Sequence, residues 1–197
     1  MKATRQLFDA PQEKMTVCES GRILVVTGEE IVKSVESIPT SMNKNGELIY
    51  SEQEKTQYAY NTYWLENPTK SADALSVAKQ EVLKELAAYD VSTEVNSFSI
   101  NGRTVWYDKA TRVGLMNSIT IVKSLGYKTT ALWFGDTKYE LDCDKAIDLL
   151  SKIEMYALDC YNRTAAHRQA IEELTDIADV LQYDFKVYYP KKLEIKL

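Results

Sequence analysis

Apolar and polar positions follow two different patterns along this chain of 197 residues, one typical of helices and one typical of hairpins. In residues 71–89, 109–125 and 144–174 the apolar positions recur at steps of three and four, which predicts three amphipathic helices. Residues 98–107 and 129–141 place β-branched and aromatic residues on either side of a turn dipeptide, which predicts two hairpins. The order helix, hairpin, helix, hairpin, long helix predicts an α+β domain in which both hairpins form one antiparallel sheet, with helices packed on a single face.

Single residues mark the turns and helix ends of this predicted domain. Asn101-Gly102 supplies positive φ at both centres of a tight hairpin turn, and Gly135-Asp136 occupies the turn of the second hairpin. Asp108 stands where the next helix requires an amino-terminal cap, and Gly126 stands where that helix ends. Arg112 lies one helical turn after Asp108 and is predicted to pair with it. The crowded junction of hairpin and helix therefore has a structural explanation.

The end of the chain carries further signals. Asp142 or Asp144 is predicted to cap the long helix, whose apolar face continues to Leu174. Thr175 is predicted to cap a last short helix, and the residues from 186 onward are predicted to form an extended arm.

The first third of the chain has a weaker pattern. Residues 15–38 contain short β-branched segments separated by turn residues, which predicts two or three short strands of a meander. Residues 39–46 are polar and have a helix breaker at each end, which predicts a loop. Residues 51–65 predict a helix, because Ser51 and Glu54 have the spacing of a capping box, although the aromatic residues of this stretch do not share one narrow stripe.

Asn67-Pro68-Thr69 interrupts the chain and is the predicted domain boundary. The sequence then divides into a β-rich arm or small interaction domain at residues 1–68, the α+β domain at residues 69–185, and an extended carboxy-terminal arm at residues 186–197.

Composition narrows the classes of function. Hydrophobic residues make up 45% of the chain and charged residues 27%, which is ordinary globular content. The net charge of −5 and the scattered basic residues argue against a nucleic-acid partner. No stretch has the length and apolar content of a membrane span, and the first residues lack the apolar segment of a signal peptide. We therefore expect synthesis and assembly in the cytoplasm.

The second half of the chain resembles a domain of unknown function that occurs in bacteriophage tail-fibre, tail-assembly and related virion proteins. The resemblance covers residues 96–174 and is carried by FSINGRTVWYDKATRVGLMNSI, with its Thr-Arg pair after Asp108, and by TALWFGDTKYELD, which places Trp133 in the second hairpin. It implies a structural or assembly role in a phage particle and implies no catalytic residues. The amino-terminal third lies outside the resemblance.

Candidate catalytic and metal-binding residues each have a structural alternative. His167 is the only histidine, and Arg163 and Ile171, one turn away on its helix, cannot orient it as a base. Asp142, Asp144 and Asp148 lack the central glycine and terminal glutamate of a calcium loop and are more simply explained by the helix dipole.

Further motifs add no enzyme signature. Cys18, Cys143 and Cys160 have neither zinc nor disulfide spacing and are predicted to be reduced thiols. A phosphate-binding loop and a serine elbow are also missing from the sequence. We therefore predict a protein that is not an enzyme and takes no cofactor, metal or small-molecule substrate.

The thirteen tyrosines point to protein partners, because tyrosine and tryptophan are enriched at interfaces. The predicted interface residues lie in QYAYNTYW and KVYYPKKL: Tyr58, Tyr60, Tyr63, Trp64, Tyr188 and Tyr189. The leading hypothesis is a multi-copy virion subunit of a neck, tail or fibre-attachment assembly, whose partners are copies of itself and other virion proteins. A tail-fibre assembly chaperone that leaves the particle is the alternative. A small hydrolase using Asp108 or His167 is a third hypothesis.

Overall fold

The structure, a computed structural model, describes residues 1–18, 21–66 and 73–197. The chain divides into two compact units. The amino-terminal unit contains Met1–Val82 and Glu173–Tyr183, and the carboxy-terminal unit contains Leu83–Glu172 and Asp184–Leu197. The boundary between the units lies within the first helix. The predicted boundary at Asn67-Pro68-Thr69 and the predicted first residue of that helix, Ser71, lie outside the described residues.

A four-stranded antiparallel sheet forms most of the amino-terminal unit. Its strands are β1 (Thr4–Phe8), β2 (Met15–Val17), β3 (Ile23–Met42) and β4 (Leu48–Leu65), in the spatial order β1-β4-β3-β2. The beginning of β3 is buried on both faces, because four consecutive residues from Ile23 to Val26 are at most 7% exposed. The sheet confirms the predicted β-rich character of this part of the chain.

Beyond this buried base, β3 and β4 continue as a two-stranded ribbon that we call the β3–β4 arm. It consists of residues 31–42 of β3, the turn at residues 43–47, and residues 48–58 of β4. Eleven residue pairs connect its strands, which corresponds to a length of about 35 Å. The side chain of Asn43 accepts hydrogen bonds from the backbone N–H groups of Asn45 and Glu47, which closes the turn at the tip.

Strands β3 and β4 correct three predictions for the first third of the chain. Thr27-Gly28-Glu29, turn residues that were predicted to separate two short strands within residues 15–38, form a bulge around Gly28 (φ +66°) across which β3 continues. The predicted loop at residues 39–46 is strand as far as Met42, since Pro39 occupies a position of β3 that needs no N–H donor toward β4. The predicted helix at residues 51–65 is β4, because pairing with β3 along its whole length outweighs the local helix signals.

The carboxy-terminal unit holds most of the remaining elements. After α1 (Ala74–Asp90), which contributes to both units, come β5 (Phe98–Ile100), β6 (Arg103–Val105), α2 (Lys109–Ser124), β7 (Thr129–Phe134), β8 (Thr137–Asp142) and α3 (Cys143–Glu173). The chain ends with α4 (Ile177–Gln182), which packs against β3 in the amino-terminal unit, and β9 (Glu194–Ile195). The mixed α+β class is confirmed. The two hairpins differ from the prediction in one respect, because β6-β5-β9 and β7-β8 are separate sheets.

One apolar core holds the carboxy-terminal unit together. It contains Phe98 and Ile100 of β5, Leu132 and Phe134 of β7, and Ile153 of α3, each at most 3% exposed. Burying a large apolar side chain contributes about 1.5–3 kcal/mol, so this layer of strands on α3 accounts for much of the unit's stability.

The predicted turn and cap residues of this unit are confirmed. Asn101 and Gly102 have positive φ and turn the β5–β6 hairpin. Asp108 caps α2 by accepting a hydrogen bond of 2.7 Å from the backbone N–H of Thr111. Gly126 (φ +89°) ends the helix, and its N–H donates to the carbonyl of Lys123.

The remaining helix ends follow the predictions in part. Asp142 accepts a hydrogen bond from the backbone N–H of Asp144 at the start of α3. The predicted cap of the last helix was wrong by one residue, since Asp176 rather than Thr175 accepts from the backbone N–H groups of Ala178 and Asp179. No helix among the described residues has the length and apolar character of a bilayer-crossing segment.

Candidate functional site

The β3–β4 arm exposes several large apolar side chains of the amino-terminal unit. None of residues 31–58 is buried. Its exposed apolar side chains are Ile31 (58%), Val35 (62%), Met42 (64%), Leu48 (50%), Ile49 (48%) and Tyr50 (56%). The pairing places Ile31, Val35, Pro39, Met42, Leu48 and Tyr50 on one face, which we call the apolar face of the arm. Near the tip, the pairs Pro39–Tyr50 and Met42–Leu48 form an apolar cluster on this face, and exposed apolar clusters are typical of interaction sites.

The arm also lacks the usual source of stability for a sheet. An isolated two-stranded ribbon is marginally stable in water, because each strand has only one neighbour and neither face is covered. The polar side-chain contacts along the arm are exposed hydrogen bonds, such as that from Thr40 to the carbonyl of Ile49, and exposed ion pairs, such as Lys55 with Glu36 at 3.7 Å; the ion pairs contribute little. Within the described residues, the arm therefore gains little stability from its own contacts.

The four predicted interface residues in QYAYNTYW lie at the base of the sheet. Tyr60 and Tyr63 are only 3% and 5% exposed, and the hydroxyl of Tyr60 donates to Glu29 at 2.6 Å. Tyr58 and Trp64 are half-buried against Leu24, Val26 and Tyr60. These four side chains therefore serve mainly the protein's own core, and the exposed surface begins beyond them in the arm.

The two predicted interface tyrosines near the end of the chain have different environments. Tyr189 packs against Tyr89, with ring centroids 5.5 Å apart, and its hydroxyl lies 2.9 Å from that of Thr164. Tyr188 is 77% exposed, lies 5.6 Å from the guanidinium of Arg163, and has a φ of +65°. Because a bulky residue in the left-handed region is strained, Tyr188 remains a candidate contact residue.

The predicted carboxy-terminal arm is part of the carboxy-terminal unit. Its strand β9 pairs in parallel with β5, and the ammonium group of Lys192 donates to the carbonyl of Thr93 and the hydroxyl of Ser97, each at 2.5 Å. The imidazole Nε2 of His167 donates to the carbonyl of Val187 at 2.9 Å. His167 is 3% exposed, so the only histidine stabilises this terminal segment.

The hairpin-to-helix junction lines a cavity of about 510 Å³ in the carboxy-terminal unit. Arg112, 7% exposed, lies along it and stacks over Trp106. Its Nε donates to Glu154 at 2.5 Å and its terminal nitrogen to the carbonyl of Tyr107 at 2.6 Å. The predicted partner of Arg112 was Asp108, and Glu154 takes that hydrogen bond because α3 passes the start of α2. Within the wall of the cavity, Arg112 therefore contacts both Glu154 and Trp106.

A double-mutant cycle tests whether Arg112 and Glu154 stabilise the fold through their contact with each other. We expect Arg112→Met to lower the free energy of unfolding by about 2 kcal/mol, because the carbonyl of Tyr107 and the carboxylate of Glu154 lose their donor. The side chain of Glu154 is 43% exposed, so Glu154→Gln should lower the free energy of unfolding by less than Arg112→Met does. Urea unfolding of both single variants and the double variant should give a coupling energy of about 1 kcal/mol. Additive losses would show that the two residues do not depend on each other.

Asp108 provides a prediction for acid pH. The hydrogen bonds from Thr111, with a smaller contribution from the charge of Arg112, hold the pKa of Asp108 below its ordinary value of 3.8. A pKa that is lower in the folded state adds stability above the unfolded-state pKa, and this stability is lost as the pH falls through the folded-state pKa. Asp108→Asn keeps a capping oxygen but does not titrate. The stability difference between wild type and Asp108→Asn, measured by urea unfolding, should therefore shrink between pH 6 and pH 2.

The two aromatic residues at the junction also have structural contacts. Burial raises the pKa of Tyr107 to about 12, so its hydroxyl stays protonated and donates to the backbone carbonyl of Trp133. The ring of Tyr107 stacks on Phe134 at 5.2 Å. Trp133 itself is 57% exposed on β7, so the indole is a surface feature of the second hairpin.

Metal and thiol chemistry have little support in the described part of the chain. No group of three or more His, Cys, Asp or Glu side chains there could hold a metal ion. All three cysteines are free, with Cys143 and Cys160 buried and Cys18 half-buried, and burial raises the pKa of the Cys160 thiol. A raised pKa disfavours the reactive thiolate.

The arm is the feature that sequence reasoning missed. The sequence signal for β4, at the base of the arm, was the alternation at Tyr58, Tyr60, Thr62 and Trp64, which has the period of a strand. Comparison with known proteins adds no further assignment, since no protein-family model, no curated protein and no solved structure matches the chain.

Proposed function

We propose that this protein is a structural subunit of a bacteriophage particle, present in several copies, that acts through protein–protein contacts at a neck, tail or fibre-attachment assembly. The observation that carries the proposal is the β3–β4 arm, in which no residue between 31 and 58 is buried and six apolar side chains are about half exposed or more. An arm that reaches a neighbouring subunit suits a protein whose work is assembly.

The phage context rests on the resemblance of residues 96–174 to a domain of virion proteins. Three polar residues of this region that the sequence singled out make contacts that stabilise the fold, as expected of a structural protein. Asp108 caps α2, Arg112 pairs with Glu154, and His167 donates to a backbone carbonyl. Each of these side chains stabilises the fold, which supports a role in assembly rather than in catalysis.

A tail-fibre assembly chaperone is the second candidate, since the apolar face of the arm also suits transient binding of a fibre subunit. Mass spectrometry of purified phage particles and of the infected-cell lysate separates the two roles. A virion subunit gives peptides of this chain in intact particles at a fixed ratio to the other structural proteins. A chaperone gives them only in the lysate, and this result would overturn the leading proposal.

A further inference from the structure

Along the arm, no strand of the described residues pairs with the outer edge of β3. In the part of the chain that the structure describes, the strand beside β3 on this side is β2, which pairs only with Ile23–Val25. The N–H of the next residue, Val26, donates to the carbonyl of Lys14, and no further strand follows along this edge. Unpaired edges of this length are templates for another strand.

Pro39 identifies which backbone groups of β3 point outward. It pairs with Tyr50 and has no N–H, so this pair is of the non-hydrogen-bonded type and its backbone groups face away from β4. The pairing has no register shift between residues 31 and 39. Every second residue therefore points its N–H and carbonyl to the free edge: Ile31, Lys33, Val35 and Ser37, together with the carbonyl of Pro39.

We propose that this edge pairs with the same edge of a second copy of the chain, antiparallel, with Val35 directly opposite Val35 of the second copy. The proposal deepens the proposed function and rests on it, since it names the partner through which the subunit assembles. In this register the outward groups of residues 31–39 exchange about eight backbone hydrogen bonds, and the two arms join into one four-stranded sheet.

The side chains favour this register. Ile31 lies opposite Pro39 of the second copy, and Val32 lies opposite Ile38, so apolar residues meet apolar residues on both faces. Lys33 lies opposite Ser37, and no like charges face each other directly. Ile31 and Val35, now 58% and 62% exposed, would each gain an apolar neighbour. A register centred on Glu36 instead places two glutamates opposite each other.

The outer edge of β4 is a poorer candidate for pairing with itself. Any antiparallel register centred on residues 52–54 sets a glutamate opposite a glutamate, because Glu52 and Glu54 lie on the same face of that strand. Like charges directly opposite each other destabilise a sheet. Along the middle of the arm, the edge of β3 is therefore more complementary to itself than the edge of β4 is.

Cysteine cross-linking tests the register. In a Cys18→Ser background, Val35→Cys should form a disulfide-linked dimer under mild oxidation, because the Cα atoms of a hydrogen-bonded antiparallel pair lie about 5.5 Å apart, within disulfide range. The matched control is Ser37→Cys, whose two copies would be offset by four residues, about 13 Å, and should not link. A mixture of Lys33→Cys and Ser37→Cys chains should link to each other. Equal linking of Val35→Cys and Ser37→Cys alone would overturn the register.

Charge substitution tests the contact without a cross-link. Val35→Lys can pair with Glu54 across its own arm, so the arm stays folded, but it sets two lysines opposite each other between copies. We expect the dissociation constant of the dimer, from sedimentation equilibrium, to rise about tenfold. The control Gln53→Lys adds the same charge opposite Glu36 on β4, away from the proposed contact, and should leave the constant unchanged.

The oligomeric state of the chain and its presence in phage particles test the inferred contact and the proposed function separately. A full-length chain that stays at its monomer mass of 22.5 kDa at high concentration would overturn pairing between copies, while its presence in phage particles would leave the structural role intact. A strand of another virion protein would then be the occupant of the edge, detected as a cross-link from Val35→Cys to that protein in particles. Dimerisation of a chain that is missing from particles would overturn the proposed function and leave the contact intact.

Discussion

Shortening the β3–β4 arm is expected to abolish self-association of the chain while leaving it folded. In the variant, residues 33–56 are replaced by Asn-Gly, which joins Val32 to Gln57. These two residues form a hydrogen-bonded pair of the ladder, and Asn-Gly is the dipeptide that closes a hairpin at such a pair. The variant keeps Tyr58, which packs at the base of the sheet, and removes no buried side chain.

The expected stability of the shortened chain follows from burial. The deleted residues contribute exposed ion pairs and half-covered side chains, so the free energy of unfolding should change by no more than about 1 kcal/mol. Light scattering at increasing concentration should show the full-length chain moving above its monomer mass and the shortened chain remaining a monomer. Gln53→Lys, with its arm intact, is the control. Self-association of the shortened chain at the full-length level would show that the contact lies elsewhere.

Removing residues 187–197 is expected to unfold the carboxy-terminal unit. The deletion takes away the carbonyl that accepts from His167, the hydroxyl beside Thr164, and β9, whose Ile195 is 9% exposed. Truncating one buried isoleucine costs about 2–4 kcal/mol, so losing the whole segment should cost roughly 5 kcal/mol or more, a large part of a domain's stability. Near-ultraviolet circular dichroism and urea unfolding of the deletion variant measure this.

Point variants test whether the stability comes from individual side chains of residues 187–197 or only from the presence of the segment as a whole. Ile195→Ala should lower the free energy of unfolding by about 2–4 kcal/mol, and Tyr189→Phe by about 1 kcal/mol through the lost contact with Thr164. The control is Tyr188→Gly, which removes an exposed ring and relieves a φ of +65°, and should leave stability nearly unchanged. A deletion variant that unfolds like wild type would mean that this segment is an arm for neighbouring subunits, as the sequence first suggested.

The second half of the chain was predictable because its signals are local. Asn101-Gly102 and Gly126 hold backbone conformations that few other residues adopt, and Asp108 satisfies N–H groups within its own helix. Such signals depend little on distant parts of the chain. The partner of Arg112 was not predictable in this way, since Glu154 comes from a helix 42 residues away.

The first third was less predictable because its structure depends on long-range pairing. Residues 51–65 contain good helix formers and a capping-box spacing, yet they pair with residues that precede them in β3. Pro39 suggested a loop, although a proline is compatible with a strand where its nitrogen faces the free edge. Tyr60 and Tyr63 were predicted as interface residues without knowledge of the sheet face that each occupies, and both are buried.

The most direct measurement of the assembly role is the amount of this chain in phage particles grown in cells that supply either the full-length or the arm-shortened form. Quantitative mass spectrometry of the purified particles should find the full-length chain at a fixed ratio to the other structural proteins and the shortened chain only in the lysate. Incorporation of the shortened chain at the full-length level would contradict assembly through the arm.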